Sequence, residues 1–367
     1  MKFCISLGQF SIKYFFYIAL FVFLDIFSYF FLKDTENIVY KHYLLDSVCF
    51  FLGYLLNIVP AWIISINYNN TYSNYKNLSI KEIIKFFSIC VLLILADFII
   101  YFIKIRSKNE NNDNNEKFLF IEILITFLIL KYNKEIYYKH QNISFAILIL
   151  VEIIKTIYFF IRSSYEISII TIISRTIYSI LYAFYYLYIQ KLMKYNFISP
   201  YKCNFMIGVV DLPLIIIIYF IISFTILGNN KYDYYFDNIF ELFEDIRTLD
   251  TKNSIFLILY PFIFGIVELL ISKIIYDFTI YHIFIPQLLV KFIENISKDL
   301  GIFDNIFLIS SYIIDFIMIL IFVEIIEVNF CGLEENLKKN IELRGINEDN
   351  YEEFDDRNTI NNNKEIK

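Results

Sequence analysis

Glycine is scarce in this chain, at 8 of 367 residues, and there are only 5 prolines, 3 histidines and a single tryptophan. No two glycines stand four apart, so the simplest motif for close pairing of membrane helices is missing. A P-loop and a G-x-G-x-x-G turn are absent, which excludes the common backbone cradles for nucleotide phosphates. H-E-x-x-H is absent as well, and the histidines His42, His140 and His282 fall near the ends of apolar runs in different loops. They read as interfacial polar residues rather than as ligands of one metal. The cysteines Cys4, Cys49, Cys90, Cys203 and Cys331 never stand at C-x-x-C spacing and read as small buried hydrophobes. The spaced aspartates of a membrane phosphotransferase are also missing. Nothing implies a cofactor or a metal, and the expectation is a protein that is not an enzyme.

What is abundant is apolar. Hydrophobic residues make up 58% of the chain, against roughly 45–50% in soluble domains, and charged residues only 19%, against about 25%. The charges cluster between long apolar runs, so lipid is the expected solvent. Ile, Phe, Tyr, Asn and Lys dominate; all have AT-rich codons, and a bias of the genome explains part of the pattern. The formal net charge of −6 comes mostly from the tail after Asn329 and argues against nucleic acid as a partner.

The apolar runs predict ten spans: 14–32, 43–66, 83–103, 118–132, 143–161, 167–189, 203–227, 254–276, 278–293 and 302–327. A span needs about 20 residues at roughly 1.5 Å each, so the fourth and ninth are short. The first has no small-residue cleavage site and reads as a signal anchor. Lys and Arg favour a cytosolic location for both termini, with the tail deciding the balance. The loop at 104–117 is rich in Asn and charge. The acidic, aromatic loop at 228–253 has room for an interfacial helix within Tyr232–Asp250. A short amphipathic helix is expected at Leu333, Leu337 and Ile341, followed by a tail too polar to bury anything.

The spans also divide as five plus five. The second of each half carries a Gly and then a Pro: Gly53 and Pro60, then Gly208 and Pro213. The third carries one acid, Asp97 or Glu268, and the fourth is short. Because five is odd, the halves would be inverted in the membrane, the plan of many secondary carriers. The expected fold is therefore all-α: a polytopic bundle of about ten transmembrane helices with a five-plus-five inverted repeat. Residues 1–161 form the first half, 162–329 the second, and 330–367 an acidic cytosolic tail.

Charge inside a span costs at least about 2.5–3.5 kcal/mol and normally faces protein or water. Asp97 lies deep in the third span, Glu122 one turn into the fourth, Arg175 in the sixth and Glu268 in the eighth. Asp25, Asp211 and Asp315 interrupt others. Glu152 and Lys155, three apart, share a helix face and read as a structural pair, and Lys273 with Asp277 reads the same way. Arg175 has no near partner in sequence; it either bridges to Asp97 or Glu268 or meets an anionic substrate. Tyr178, Tyr182 and Tyr185 stand at helical spacing and read as a stripe facing core or lipid. In HIFIPQLLVKF, Pro286 frees a carbonyl beside Gln287, which makes the ninth span a candidate cavity wall.

Three stretches carry a resemblance: KYNKEIYYKHQNISFAIL (131–148), LYIQKLMKYNFISPYKCNFMIG (187–208) and VEIIEVNFCGLEENLKKNIELR (323–344). They resemble ten-span eukaryotic proteins similar to the drug/metabolite transporter superfamily, which includes EamA-type exporters and nucleotide-sugar transporters. The likeness concentrates in Lys139–His140–Gln141, in Phe197 to Tyr201 and in Asn329 to Leu333. It implies two inverted halves with cytosolic termini, a cavity walled largely by the third, fourth, eighth and ninth helices, and alternating access. The glycine-rich helix faces common in the superfamily are thin here.

The resulting expectation is a secondary carrier of a small polar or amphipathic metabolite. Asp97, Glu122, Arg175, Glu268 and Gln287 are its candidate substrate-binding residues, with Asp97 and Glu268 for substrate or a coupling proton and Arg175 for an anionic group. The lipid bilayer, the substrate and a second copy of the chain are the expected partners. The alternative is a non-transporting membrane scaffold or receptor-like protein that docks a partner through its acidic tail.

Overall fold

In the computed structural model the chain is described over residues 4–7, 12–34, 42–67, 80–107, 119–132, 139–162, 169–195, 198–225, 228–229, 237–249, 251–296 and 302–329. It is helical apart from one short ribbon. The helices are α1 (Ile12–Asp34), α2 (Tyr43–Leu56), α3 (Ile58–Asn67), α4 (Ile80–Ser107), α5 (Leu119–Tyr132), α6 (Lys139–Arg162), α7 (Ile169–Tyr195), α8 (Pro200–Ser223), α9 (Ile239–Arg247), α10 (Thr251–Asp277), α11 (Phe284–Ile296) and α12 (Ile302–Phe322). Each of the ten apolar stretches holds a helix. The second is divided at Asn57 into α2 and α3, and the ninth begins as a 3-10 turn, Ile280–Ile283. Helix α9 falls within the acidic loop. The loop at 104–117, apart from the end of α4, and the tail at 330–367 with its expected amphipathic helix lie outside the described residues.

Three helices among the described residues are long and apolar enough to cross a membrane: Leu44–Ile63 through α2 and α3, Pro200–Ser223, and Asn253–Asp277. Their outer faces decide what surrounds them. Ile216, Ile217, Phe220 and Ile221 on α8 and Ile255, Ile258, Leu259 and Phe262 on α10 are exposed. Contiguous apolar stripes of this kind are not left in water by a soluble protein, so the chain is an integral membrane protein.

These three helices form the middle of the molecule. Helix α2 packs between α8 and α10, which also touch each other. Glycine permits the close approach. A Cβ on Gly53 would stand 2.6 Å from the Pro261 carbonyl oxygen and 2.7 Å from the Gly265 nitrogen, and one on Gly208 would stand 2.4 Å from the Leu55 nitrogen. The glycines work across helices rather than within one, which is why no four-residue spacing marks them. Asn57 closes the junction: its amide donates to the carbonyls of Gly53, at 3.1 Å, and Gly265, at 3.4 Å.

Around this centre α4 packs on α7 and α8, and α1 packs on α10 and α11. Helix α5 lies on α7 and α6, α11 on α12, and α6 on α12. Helix α2 also touches α4.

The ends of the helices are fastened locally. Pro200 opens α8, with the Ser199 hydroxyl accepting from the Lys202 amide at 3.3 Å. Helix α12 was expected to run to residue 327 and stops at Phe322. Glu324, at φ 62°, takes the left-handed conformation, and the Ile325 and Glu324 amides return to the carbonyls of Leu320 and Ile321. This is a Schellman stop with Glu where Gly is usual. Beyond it β2 (Ile326–Asn329) pairs antiparallel with β1 (Cys4–Leu7), in the register Cys4 to Asn329 and Leu7 to Ile326. The ribbon, unforeseen from sequence, holds the start of α1 and the end of α12 at one end of the bundle.

Two local expectations are corrected. Asp277 does not pair with Lys273; it meets Lys13 at 2.7 Å and accepts from Tyr17 at 3.2 Å, while Lys273 lies 4.8 Å from the Tyr201 ring centre. Pro286 sits in the first turn of α11, where its missing N–H removes no mid-helix hydrogen bond, so it frees no carbonyl at depth.

Candidate functional site

The amphipathic pattern of α7 builds the site. Tyr178, Tyr182, Tyr185 and Tyr186 stand at helical spacing and are all buried, so the core reading of this stripe is right. The Tyr185 hydroxyl joins an acid through a second phenol. Glu268, on α10, accepts at Oε2 from the Tyr54 hydroxyl of α2 at 2.6 Å. That hydroxyl also lies 2.7 Å from the Tyr185 hydroxyl of α7. One carboxylate and two phenols thus join three helices through a continuous chain of hydrogen bonds. The Gly53–Gly265 contact sets the distance, since Tyr54 follows Gly53 and Glu268 lies one turn after Gly265.

The Glu122 carboxyl, fully buried on α5, lies within electrostatic reach of Tyr186, as does that of Glu268. Two of the predicted residues, far apart in sequence, therefore lie within electrostatic reach of neighbouring tyrosines of α7. Asp211 on α8 was noted as a mid-span acid without being assigned to the site. It is fully buried, with Cys90 of α4 beside it and the Tyr185 hydroxyl within electrostatic reach. Asn204 of α8, which accepts from Ser272 of α10 at 2.7 Å, lies two turns before Asp211.

The other predicted residues are arranged differently. Arg175 is half-buried on α7, ten residues before Tyr185, or about 15 Å along the helix axis. Gln287 is on α11, which packs on α1 and α12, and its side-chain oxygen is buried without a hydrogen-bond donor among the described residues. Asp97 lies in α4, and its side chain is outside the described residues.

A second polar group sits where α6 meets α12. Lys155 reaches both Glu152 and Asp315, and its ammonium stands 4.3 Å from the Tyr312 ring centre. The expected Glu152–Lys155 pair is therefore part of a triad, and Asp315 joins it across helices. Sequence spacing reveals i, i+3 partners but not this one.

The histidines do not converge, and no cluster of His, Cys, Asp and Glu among the described residues could hold a metal ion. His42 lies between Asp237 and Asp245. His140 stands 3.2 Å from Glu324, and His282 bonds Thr279 at 2.8 Å. A small, partly open apolar crevice lies between α5, α6, the 3-10 turn with α11, and α12. Apolar atoms of Ile123, Leu148, Phe284 and Ile319 line it, and Glu122, the residue before Ile123, is the acid next to it in sequence.

No family model matches the chain, and no curated protein is similar enough to place it in a family. Neither result identifies a drug/metabolite transporter, so the resemblance concentrated in the three stretches stays an expectation. Two of these have an evident mechanical role. Gln141 donates to the Phe322 carbonyl at 3.2 Å and His140 stands 3.2 Å from Glu324, so these two residues lie at the end of α12. In the second stretch Ser199 and Pro200 supply the cap of α8.

Proposed function

We propose that the chain is a secondary carrier for a small polar or amphipathic metabolite, in which two halves of five helices rock about the α2–α8–α10 centre. The observation that carries this reading is the pairing of helices. Match α1, α2, α4, α5 and α6 in order with α7, α8, α10, α11 and α12. The contact of α4 with α7 then corresponds to that of α10 with α1, and α5 with α7 to α11 with α1. Likewise α4 with α8 corresponds to α10 with α2, α2 with α4 to α8 with α10, and α5 with α6 to α11 with α12. Helices α2 and α8, and α6 and α12, are each other's equivalents and pack together. Such exchange symmetry is expected of an inverted repeat and is not required of a scaffold. All ten helices cross the bilayer in this reading. Both termini are cytosolic, in keeping with the ribbon that ties the two ends and with the bias of Lys and Arg.

The acid–tyrosine centre suits substrate or proton binding because helices of both halves contribute to it: α2 and α5 from the first, α7, α8 and α10 from the second. Rocking would make and break the bonds of Tyr54 to Glu268 and Tyr185. The test is counterflow uptake by proteoliposomes, screened over pools of labelled metabolites. Glu268→Gln and Tyr54→Phe should each lower uptake about 10-fold or more, the effect of one lost hydrogen bond to a charged group. Full uptake in both variants would remove the centre from the mechanism. No uptake of any metabolite by folded protein would remove the carrier reading.

A further inference from the structure

We propose that His42, held between Asp237 and Asp245, is a pH-operated clasp that fastens α9 across the start of α2. The geometry is specific. His42 Nδ1 stands 2.9 Å from Asp237 Oδ1, and Nε2 stands 2.8 Å from Asp245 Oδ2. A neutral imidazole carries a single N–H, so only the imidazolium can donate to both carboxylates. Loss of the proton turns one ring lone pair towards a carboxylate oxygen.

The two aspartates are not equivalent. Asp237 is fully buried and also accepts from the amides of Leu44, at 2.9 Å, and Asn238, at 2.7 Å. It caps α2 from a distant segment and stays in place whatever His42 does. Asp245 has a side chain 30% exposed, so water can receive it once the imidazolium is gone. Neutral His42 keeps its bond to Asp237 through Nδ1–H and gives up the one to Asp245.

The start of α9 has its own fastenings. The Ile239 amide donates to Ser223 at 2.9 Å, and the Asn238 side chain donates to the Gly228 carbonyl at 2.8 Å. Leu242 is buried beneath the helix. The clasp therefore governs the later part of α9, where Phe243 and Arg247 are exposed.

Other charged and titratable groups near the clasp, by element, are these. Helix α2 contributes Asp46, four residues on from His42, whose Oδ1 accepts from Tyr260 of α10 at 2.8 Å. Helix α9 contributes Glu241, Glu244 and Arg247. Burial alone would lower the His42 pKa, but the hydrogen bonds to the two aspartates outweigh it and hold it above the ordinary 6.5. A raised pKa fixes the sign. The clasp is complete below pH 6.5 and is lost as pH rises through the higher value of the folded protein.

Hydrogen exchange of α9 in the full chain in nanodiscs, corrected for the intrinsic pH dependence of the rate, tests this. The wild type should show α9 exchange about tenfold faster once His42 is neutral, equivalent to losing one charge-assisted hydrogen bond. His42→Gln should remove the step and leave α9 fast at every pH. Asp245→Asn should remove the step too, and it serves where His42→Gln fails to fold. A ¹⁵N-histidine spectrum, with only 3 histidines to assign, should show both His42 nitrogens protonated at pH 6. A pH-independent α9 in the wild type, the same step in either variant, or a neutral His42 at pH 6 would overturn the proposal.

Discussion

Gly53→Ala adds one methyl group where two helices touch backbone to backbone, and its cost follows from the distances. The new carbon would lie 2.6 Å from the Pro261 oxygen, 2.7 Å from the Gly265 nitrogen and 3.2 Å from the Gly265 Cα. All three are main-chain atoms of α10, so no side chain can swing aside. Ordinary contact begins near 3.4 Å, and α2 and α10 must therefore part by roughly 0.7 Å. A gap of that size forfeits a quarter to a half of the dispersion energy of each contact it opens, and overpacking of this kind costs about 1–3 kcal/mol. The next residue, Tyr54, would also be drawn from Glu268, stretching a bond of 2.6 Å beyond useful length. Thermal unfolding of the purified full chain in detergent should show Tm lower by roughly 2–8 °C. Counterflow should fall with it. Ile216→Ala, on the lipid-facing side of α8, is the control and should leave Tm nearly unchanged. A Gly53→Ala protein as stable as wild type would refute the claim that α2 and α10 meet through their backbones.

Two further outcomes follow from the buried charge and from the single tryptophan. Lys155→Met leaves the Asp315 and Glu152 carboxyls buried without their cation and should cost about 3–5 kcal/mol, whereas Lys155→Met combined with Asp315→Leu should recover most of that loss. Equal stability of the single variant and wild type in chemical denaturation would show that the triad does not form. Trp62, 64% exposed on α3 beside exposed Ile58, Val59 and Ile63, faces lipid, so its fluorescence should be strongly quenched by brominated acyl chains and little by aqueous iodide. The reverse ranking would place α3 outside the bilayer.

Helix positions were legible because the bilayer sets a length, and a run of apolar residues of that length has few other uses. Helix ends and partners were not, because they depend on single residues whose effect appears only across the fold. Asn57 divides α2 from α3 by bonding carbonyls of two different helices, Glu324 stops α12 from a conformation that Gly usually takes, and Asp315 finds Lys155 from a distant helix. In the candidate site the acids Glu122 and Glu268 could be picked out as costly charges, but Tyr54 and Tyr185 could not be separated from the other tyrosines of a chain that has 31. The tyrosines at 178, 182, 185 and 186 did carry a signal, one helix face, though not the polar use of that face.

The same physics separates the tolerant parts of the chain from the intolerant ones. A lipid-facing position accepts Ile, Leu, Phe or Val with little change in free energy, so spans keep their character while their letters are interchangeable. A helix end is less tolerant. The cap of α8 needs the Ser199 oxygen before a proline, and the Phe322 carbonyl at the end of α12 accepts from Gln141. Such turns therefore constrain the sequence more than the spans do, but they bear on the fold alone. On the carrier reading proposed above, a substrate would be sought at the acids and tyrosines of α2, α5, α7, α8 and α10, where a change of one hydroxyl or carboxyl would change what can bind.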